Sequence, residues 1–492
     1  MTTNTKQQSR LTGALSLTLA QGLVLILGYA THLWIGRVLG PESYGVYGVV
    51  LSLQTIFGLI LTLGVPVAIS RYVAQDNRHA QSILRQGLAI QTAVAILVSS
   101  LMLIASPLLA RIMNDSALTT YIAFSAIVVL SQAFYPAFAQ FLSGLHRFNK
   151  QSLLTAVYAI VKLVGALSLI YTFEVYGAFA GFLVGGIAAG ILGWWWTFDN
   201  KKPPKHKLPV KAFLSFAGTY VLILVGLQIL ISLDLFMVKA LIQDDASTGY
   251  YNAAVTLSRI PYMMLQALGY VLLPSVSMLT KPGQSRTAAA EFISDTIRYL
   301  IMLIVPSVAL AATTSKTLIT LFFSSQYLPA APALSILMVG LGALAFYLLL
   351  TNIVAGAGKP QISLSITATL LVISSIAGYL LIPRYGLVGA AMQTTITGLI
   401  GLALLSAYTF RTFSIPIPFH SSFNIIIASI VAVAPTYFIH SSPVTIIPIY
   451  LTCGVIYLIM LLVLREVKSE DRQRLASIHP ALRRLAPDND KE

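Results

Sequence analysis

The stretch Tyr44-Gly45-Val46-Tyr47 has a counterpart 204 positions later, Thr248-Gly249-Tyr250-Tyr251. A second pair of similar stretches, at residues 174–178 and 383–387, lies 209 positions apart. Each stretch stands where one long apolar run gives way to the next, and the order is the same in both halves. The sequence therefore predicts an internal duplication.

The apolar runs around these stretches decide the class of protein. Of the 492 residues, 57% are hydrophobic and 10% are charged, whereas a soluble chain is about 25% charged. A membrane-spanning helix needs about 20 mostly apolar residues, and fourteen runs approach that length. They are residues 11–36, 44–70, 87–110, 121–145, 152–173, 178–198, 213–238, 250–280, 299–315, 331–356, 362–383, 387–410, 423–439 and 444–464. The sequence predicts an all-α polytopic membrane protein with about 14 transmembrane helices.

The net charge of +15 is explained by topology rather than by nucleic-acid binding. The basic residues lie in short loops beside apolar runs and not on one soluble face, so we expect no nucleic-acid partner. A single cysteine, Cys453, excludes a disulfide framework and a cysteine-based metal site. We expect no metal, no cofactor and no catalytic residue.

The loops on the two sides of the membrane differ in basic residues. With the N-terminus inside, the inward segments before the C-terminal tail carry seventeen Lys and Arg residues, and the outward loops carry five. The outward ones are Arg37, Arg111, Lys239, Lys316 and Arg384. By the positive-inside rule, both termini lie in the cytoplasm, and the protein is a multi-pass protein of the cytoplasmic (inner) membrane.

Labelling of one introduced cysteine tests this orientation. In a Cys453→Ala background, we expect Pro203→Cys to react with an impermeant maleimide only after the cytoplasmic face is opened, because residue 203 lies in the most basic inward loop. Ser116→Cys, in a predicted outward loop, is the control and should react in intact cells. Labelling of position 203 from outside intact cells would overturn the orientation.

The most polar stretch of the main body, residues 199–211, contains two adjacent prolines and five lysines and is predicted to be a loop. It divides the first twelve predicted helices six and six. Because six helices separate the copies, the repeats have the same orientation and are related about an axis along the membrane normal. The predicted domains are an N-terminal six-helix lobe (1–198), a cytoplasmic basic linker (199–212), a C-terminal six-helix lobe (213–410), two accessory helices (411–464) and a cytoplasmic tail (465–492).

Several motifs resemble a known family. The stretch Gly36-Arg37-Val38-Leu39-Gly40-Pro41-Glu42-Ser43-Tyr44-Gly45-Val46-Tyr47, then Ser70-Arg71-Tyr72-Val73-Ala74, resembles the opening of polysaccharide-repeat (oligosaccharide-lipid) flippases. These flippases belong to the multidrug/oligosaccharidyl-lipid/polysaccharide exporter superfamily. The segment from Tyr251 to Pro261 is similar to the same family, and the resemblance covers roughly residues 10 to 410.

The resemblance implies two six-helix lobes around a central cavity, with two accessory helices. It also implies a flippase, not an enzyme, that moves a lipid-linked oligosaccharide repeat unit from the cytoplasmic to the outer leaflet by alternating access, as in lipopolysaccharide O-antigen assembly. The expected partners are that lipid-linked oligosaccharide and membrane lipids. A polysaccharide polymerase and glycosyltransferases are further candidates.

Four titratable side chains fall within the predicted spans: His32, Lys162, Asp234 and Arg259. A charge near the bilayer centre costs roughly 2.5 to 3.5 kcal/mol on insertion scales, so each needs a partner, a water-filled cavity or a function. A lipid-linked sugar carries phosphate or pyrophosphate, and both Arg and Lys bind phosphate oxygens. Arg259 and Lys162 are therefore the candidate phosphate-binding residues.

Each of these charges also has a structural interpretation. Arg259 is either an anion ligand or the ion-pair partner of Asp234, and Lys162 either binds the anion or bonds to backbone or another group. Asp234 is either a counter-ion or the site where H⁺ or Na⁺ couples to transport. His32, a lone histidine among apolar residues, is more typical of hydrogen-bonded structure.

Four glutamines complete the set of polar groups expected in the cavity: Gln21, Gln54, Gln228 and Gln266. Unsatisfied amides are costly in lipid, so these side chains should face one another, water or sugar hydroxyls.

Three other functions compete. A multidrug or cation antiporter of the same superfamily needs acids in its cavity, and only one intramembrane acid is present. A peptidoglycan-precursor flippase, with a pyrophosphate-linked cargo, is not excluded by composition. A membrane glycosyltransferase or polymerase needs an acid, base or metal constellation on a substantial loop, and every predicted outward loop is short. Without a P-loop motif, the energy source is expected to be an ion gradient or downstream assembly.

Overall fold

The computed structural model describes residues 2–199, 208–280, 286–414, 419–439 and 442–466. Within these ranges every regular element is a helix and no strand occurs. Ten helical segments of the described chain are long and apolar enough to cross a membrane. The predicted all-α polytopic fold is confirmed, and the count of fourteen spans stays a prediction.

The α-helices are α1 (Thr2–Leu63), α2 (Val65–Gln75), α3 (Ala80–Ile112), α4 (Leu118–Gln132), α5 (Phe134–Gly144), α6 (Phe148–Thr197), α7 (Val210–Ile242), α8 (Asp245–Thr280), α9 (Arg286–Thr313), α10 (Ser315–Phe322), α11 (Ala331–Gly356), α12 (Pro360–Phe413), α13 (Phe419–Ala432), α14 (Pro435–Phe438) and α15 (Ile446–Val463). Two short 3₁₀ helices, Asn77–His79 and Ser325–Ala330, connect neighbouring helices.

Three of these helices are much longer than one membrane crossing. Helices α1, α6 and α12 contain 62, 50 and 54 residues, and each is broken by a residue with non-helical backbone angles. The breaks are at Gly40 in α1, Glu174 in α6 and Gly386 in α12. All three fall in the short stretches that the sequence placed between apolar runs. Each long helix therefore has two arms, as predicted.

The two arms of α6 pack closely after the break. A Cβ atom on Gly177 would overlap the carbonyl oxygen of Leu169, and one on Gly181 would overlap the backbone of Ala166. In α12, a Cβ atom on Gly389 would overlap the carbonyl oxygen of Leu381. The small residues after each break thus let the two arms meet backbone to backbone, as the small residues of membrane helices commonly do.

Two predicted spans differ from the structure because each contains a break. The run 44–70 is interrupted at Gly64, between α1 and α2, and the run 121–145 at Ala133, between α4 and α5. The Gln91 side chain, fully buried on α3, donates from Nε2 to the carbonyl oxygens of Leu61 (2.9 Å) and Ala133 (2.6 Å). One buried amide therefore satisfies a carbonyl beside each break, as an apolar environment requires.

The chain forms two compact units. Unit 1 comprises Met1–Thr256, Phe322–Ala330 and Leu364–Thr394, and unit 2 comprises Leu257–Leu321, Ala331–Ser363 and Thr395–Glu492. Unit 1 has a core rich in fully buried aromatic side chains, among them Tyr44, Tyr47 and Tyr251. Unit 2 has an aliphatic core along α11 that includes Leu334 and Leu337.

The predicted lobes and their boundaries stay a prediction. Most of the basic linker, from 200 to 207, and the tail from 467 to 492 lie outside the described residues.

Candidate functional site

Asp234 is the most enclosed of the predicted site residues. It lies on α7 and is 2% exposed, and its Oδ2 accepts hydrogen bonds from the Tyr251 hydroxyl on α8 and the Thr394 hydroxyl on α12, both at 2.7 Å. The backbone N–H of Leu235 donates to Oδ1 at 2.7 Å. Three helices of unit 1 thus converge on one carboxylate.

The polar surroundings of Asp234 continue along α12. Beside Thr394, the fully buried Gln393 donates from Nε2 to the Ser374 hydroxyl at 3.0 Å. Carboxylate, hydroxyl and amide oxygens form the donor set that hard cations prefer, and a carboxylate also accepts a proton. The Asp234 carboxylate thus lies among several such oxygen atoms. The sequence prediction identified Asp234 and missed Thr394, Ser374 and Gln393.

His32 forms a matching pair in the first half of the chain. Its Nδ1 lies 3.1 Å from the Tyr47 hydroxyl, and Tyr47 is the counterpart of Tyr251 in the repeated stretch. The Tyr47 ring packs against Phe179 with ring centroids 5.3 Å apart. A titratable side chain and a tyrosine therefore form a hydrogen-bonded pair at corresponding places in both repeats, with His32 in one and Asp234 in the other.

Lys162, on the first arm of α6, is held by aromatic rings. Its Nζ lies 4.6 Å from the ring centroid of Phe182 and 5.7 Å from that of Tyr158, distances typical of cation–π contacts. Gly185 leaves room for the lysine, because a Cβ atom there would lie 3.0 Å from the Lys162 Cβ. Tyr158 also stacks on Tyr135 with centroids 4.2 Å apart. None of the carboxylates in the described residues forms an ion pair with Lys162.

Arg259 lies on α8 in unit 2 and is half-buried. Its Nε and Nη2 atoms are buried and have no hydrogen-bond partner among the described groups. A guanidinium has five N–H donors in a fixed fork, so Arg259 retains donor capacity. Its predicted ion pair with Asp234 stays a prediction.

The predicted glutamines differ in their contacts. Gln54 is buried, and its Nε2 lies 3.5 Å from the Gln132 Oε1, while the Gln54 Oε1 and the Gln132 Nε2 have no partner among the described groups. Gln228 donates to the Ser232 hydroxyl at 3.1 Å. The side chains of Gln21 and Gln266 lie outside the described residues.

Comparison with protein families decides the family of this chain. The sequence model described as "Polysaccharide biosynthesis protein" matches residues 11–280, more than half of the chain. The chain belongs to this polysaccharide biosynthesis family. The resemblance to polysaccharide-repeat flippases is thereby confirmed, and the match includes Asp234, Arg259 and Lys162 within its range.

One curated relative of this family member is an uncharacterized membrane protein of Methanocaldococcus jannaschii. It is 26% identical over 463 residues, which cover 88% of this chain and 90% of the relative.

Two solved structures have a similar fold. The lipid II flippase MurJ, in an inward closed conformation, matches with a TM-score of 0.73 and 16% identity and covers 92% of this chain and 99% of its own. An inward-facing multidrug resistance MATE family transporter of the MOP superfamily matches with a TM-score of 0.66 and 17% identity, covering 80% and 94%. At these identities the matches establish the fold, which is that of multi-pass membrane flippases and transporters.

Proposed function

We propose that this member of the polysaccharide biosynthesis family is a flippase that moves a lipid-linked oligosaccharide repeat unit from the cytoplasmic to the outer leaflet by alternating access. One observation carries the proposal. Two basic side chains deep in predicted spans, Lys162 and Arg259, form no ion pair with any described carboxylate. A charge left without a counter-ion in a membrane protein is expensive and indicates a function.

The chemistry of these two side chains suits the anionic part of such a cargo. Arg259 offers unpaired guanidinium donors, and a guanidinium matches phosphate oxygens with two parallel hydrogen bonds. The Lys162 ammonium, held against aromatic faces, is a compact charge for the same oxygens. We propose that each of them, in its own unit, is a cationic site that holds the phosphate or pyrophosphate while the cargo crosses the membrane.

Other polar groups have proposed roles in the same process. The free amide atoms of Gln54 and Gln132 are proposed to bond sugar hydroxyls, because a buried amide without a partner is costly. The Asp234 group is proposed to couple transport to H⁺ or Na⁺. The proposed setting is the cytoplasmic membrane, with both termini inside and with polysaccharide polymerase and glycosyltransferases as partners.

A peptidoglycan-precursor lipid is the second candidate cargo. The fold match to a lipid II flippase over 92% of this chain favours it. Its pyrophosphate presents the same anionic chemistry, so only the sugar portion distinguishes the two cargoes.

Reconstitution tests the proposed function. In liposomes that contain the purified protein and a pyrophosphate-linked oligosaccharide lipid, we expect the sugar of inner-leaflet lipid to become accessible to impermeant periodate. The same assay with lipid II in place of the oligosaccharide lipid tests the second candidate cargo. Accessibility equal to that of protein-free liposomes for both lipids, with folded protein, would refute a flippase of this class.

Lys162→Ala in this assay tests the role of the lysine. We expect the flipping rate to fall by about 10-fold or more, because a charge-assisted hydrogen bond contributes about 1.5–3 kcal/mol. Lys162→Arg should retain part of the rate because the positive charge remains. Lys150→Ala is the matched control, since Lys150 also lies over an aromatic ring, Trp196, at 5.9 Å, but is exposed. An undiminished rate in Lys162→Ala would remove Lys162 from the cargo site.

A further inference from the structure

The two copies of the repeated stretch cross each other at a pair of glycines. A Cβ atom on Gly45 would overlap the carbonyl oxygen of Asp245, and one on Gly249 would overlap the carbonyl oxygen of Pro41. Gly45 and Gly249 are 204 positions apart, and so are Pro41 and Asp245. The contact is therefore reciprocal, and each repeat offers its glycine to the equivalent carbonyl of the other.

Polar contacts extend the crossing along both helices. The Asn252 side chain donates from Nδ2 to the carbonyl oxygen of Tyr44 at 3.2 Å. The Tyr44 and Thr256 hydroxyls lie 3.1 Å apart. Water can replace these hydrogen-bond partners when the helices separate. Aromatic rings pack beside them, with the Tyr44 ring centroid 5.5 Å from that of Phe323 and 6.0 Å from that of Tyr327.

Beside this crossing lies a buried ion pair. Lys239, at the end of α7, is 3% exposed, and its Nζ lies 2.6 Å from the Asp115 carboxylate and also pairs with Asp245. Asn114, next to Asp115, donates from Nδ2 to the carbonyl oxygen of Ala240 at 2.9 Å. The loop between α3 and α4 is thus bound to the end of α7 and the start of α8.

More than one carboxylate lies around the single positive charge of Lys239. Glu42 and Asp244 line the same cavity, of about 430 Å³, together with Asp115 and Asp245. Hydrogen bonds from the side chain and backbone of Ser247 lower the pKa of Asp244, which therefore stays charged at neutral pH. Without the lysine, like charges would face one another across the contact.

The corresponding basic residue of the first repeat makes a similar connection. Arg37 stands five residues after His32, as Lys239 stands five after Asp234, and its Nε donates to the carbonyl oxygen of Phe322 at 2.9 Å. The Tyr327 hydroxyl donates to the carbonyl oxygen of the neighbouring Gly36 at 2.6 Å. All of these contacts lie within unit 1 and join first-half elements to second-half elements.

We propose that these contacts form the closed outer gate of the transporter and that Lys239 is its latch. The gate opens when Lys239 leaves Asp115 and the Gly45–Gly249 crossing separates. This inference rests on the proposed function, because the positive-inside bias assigns this end to the outside and alternating access requires one end to close. The buried Lys239 pairs with two partly exposed carboxylates, and water can reach these carboxylates when the contact opens.

The test measures access to the gate rather than transport. Thr248 lies next to Gly249 and is fully buried, so Thr248→Cys in a Cys453→Ala background reports opening through its labelling by an impermeant maleimide. In right-side-out vesicles, we expect slow labelling with Lys239 present. Lys239→Gln should accelerate labelling at least ~10-fold, because the Asp115 and Asp245 carboxylates then lose their shared counter-ion. Asp115→Asn should accelerate labelling to a smaller extent, because it breaks the link to the α3–α4 loop while Lys239 keeps Asp245 as its counter-ion.

Matched variants make the result specific. Arg111→Gln removes an exposed positive charge beside the same loop and should leave the labelling rate unchanged. Gly249→Ala should accelerate labelling, because a methyl group cannot fit against Pro41, whereas Gly58→Ala, which meets no atom within 4 Å, should not. Equal labelling rates in Lys239→Gln, Asp115→Asn and the unmodified reporter would overturn the latch.

Labelling also separates this inference from the proposed function. Faster labelling only in inside-out vesicles would overturn the outer gate, even if lipid-linked sugar is flipped. Faster labelling in right-side-out vesicles supports the gate even if the cargo proves to be another molecule.

Discussion

Arg259→Ala is expected to reduce the delivery of lipid-linked sugar to the outer face by about 10- to 100-fold, because a hydrogen bond to a charged group contributes about 1.5–3 kcal/mol. Two of the guanidinium nitrogens have no partner among the described groups. Replacing the side chain by alanine therefore takes no hydrogen bond of these nitrogens away from a described acceptor, and the fold should be unchanged. Arg259→Lys should retain part of the activity, since the charge survives and the planar fork does not. The flipping assay in liposomes measures all three proteins.

The control and a second variant make this prediction specific. Arg384→Ala removes an exposed arginine and should transport normally. If Arg259 only neutralises Asp234, the double variant Arg259→Ala/Asp234→Asn should recover activity that each single change loses. Normal flipping by a well-folded Arg259→Ala protein contradicts the proposed phosphate-binding role of Arg259.

Asp234→Asn is expected to fold and insert normally while transport loses its dependence on pH or on Na⁺. The amide keeps an oxygen for the Tyr251 and Thr394 hydroxyls and loses only the contact of Oδ1 with the Leu235 N–H. It neither carries a negative charge nor takes up a proton at neutral pH. Loss of the pH dependence identifies H⁺ as the coupling ion, and loss of the Na⁺ dependence identifies Na⁺. The measurement is the initial flipping rate from pH 5.5 to 8.5, about the range in which most proteins are stable, with and without Na⁺.

Asp76→Asn serves as the control for the loss of a carboxylate. Asp76 lies in the loop after α2, where the side-chain hydrogen bond with His79 lowers its pKa, so the wild-type side chain stays charged over the assay range. Asp76→Asn should leave the pH dependence and the Na⁺ dependence of the flipping rate unchanged. Unchanged pH and Na⁺ dependence in Asp234→Asn would leave Asp234 as a structural counter-ion.

The sequence predicted the helical fold well, because both the hydropathy of a span and the residues that end it are recognised from neighbouring positions in the chain. The stretches at 36–47, 174–178 and 383–387 marked the places where α1, α6 and α12 break. The breaks at Gly64 and Ala133 were missed because each lies inside a long apolar run, although Pro66 and Pro136 follow them and could have indicated new helix starts. The carbonyls beside the two breaks are satisfied by Gln91, which lies 30 and 42 positions away.

Only part of the candidate site could be predicted, because some of its contacts also join residues that are far apart in the chain. Asp234 and Lys162 stood out because charged residues are rare in apolar runs. Thr394 lies 160 positions from Asp234, and its hydroxyl is one of many in the spans, so no local pattern distinguishes it. Of the two rings at Lys162, Tyr158 lies four residues earlier on the same helix and could have been predicted, whereas Phe182 follows the break in α6 and could not.

The reciprocal crossing of Gly45 and Gly249 has the form of an isologous interface, in which residue i of one copy meets residue j of the other and j meets i. Such interfaces are the hallmark of two-fold homodimers. The crossing thus has, inside one polypeptide, the local geometry of a two-fold dimer contact. Both glycines meet the same spatial requirement, whereas the nearby basic residues differ, since Arg37 is exposed and Lys239 is buried. Within one chain, the two sides of a symmetric contact can therefore have different neighbouring partners, which two identical subunits cannot have.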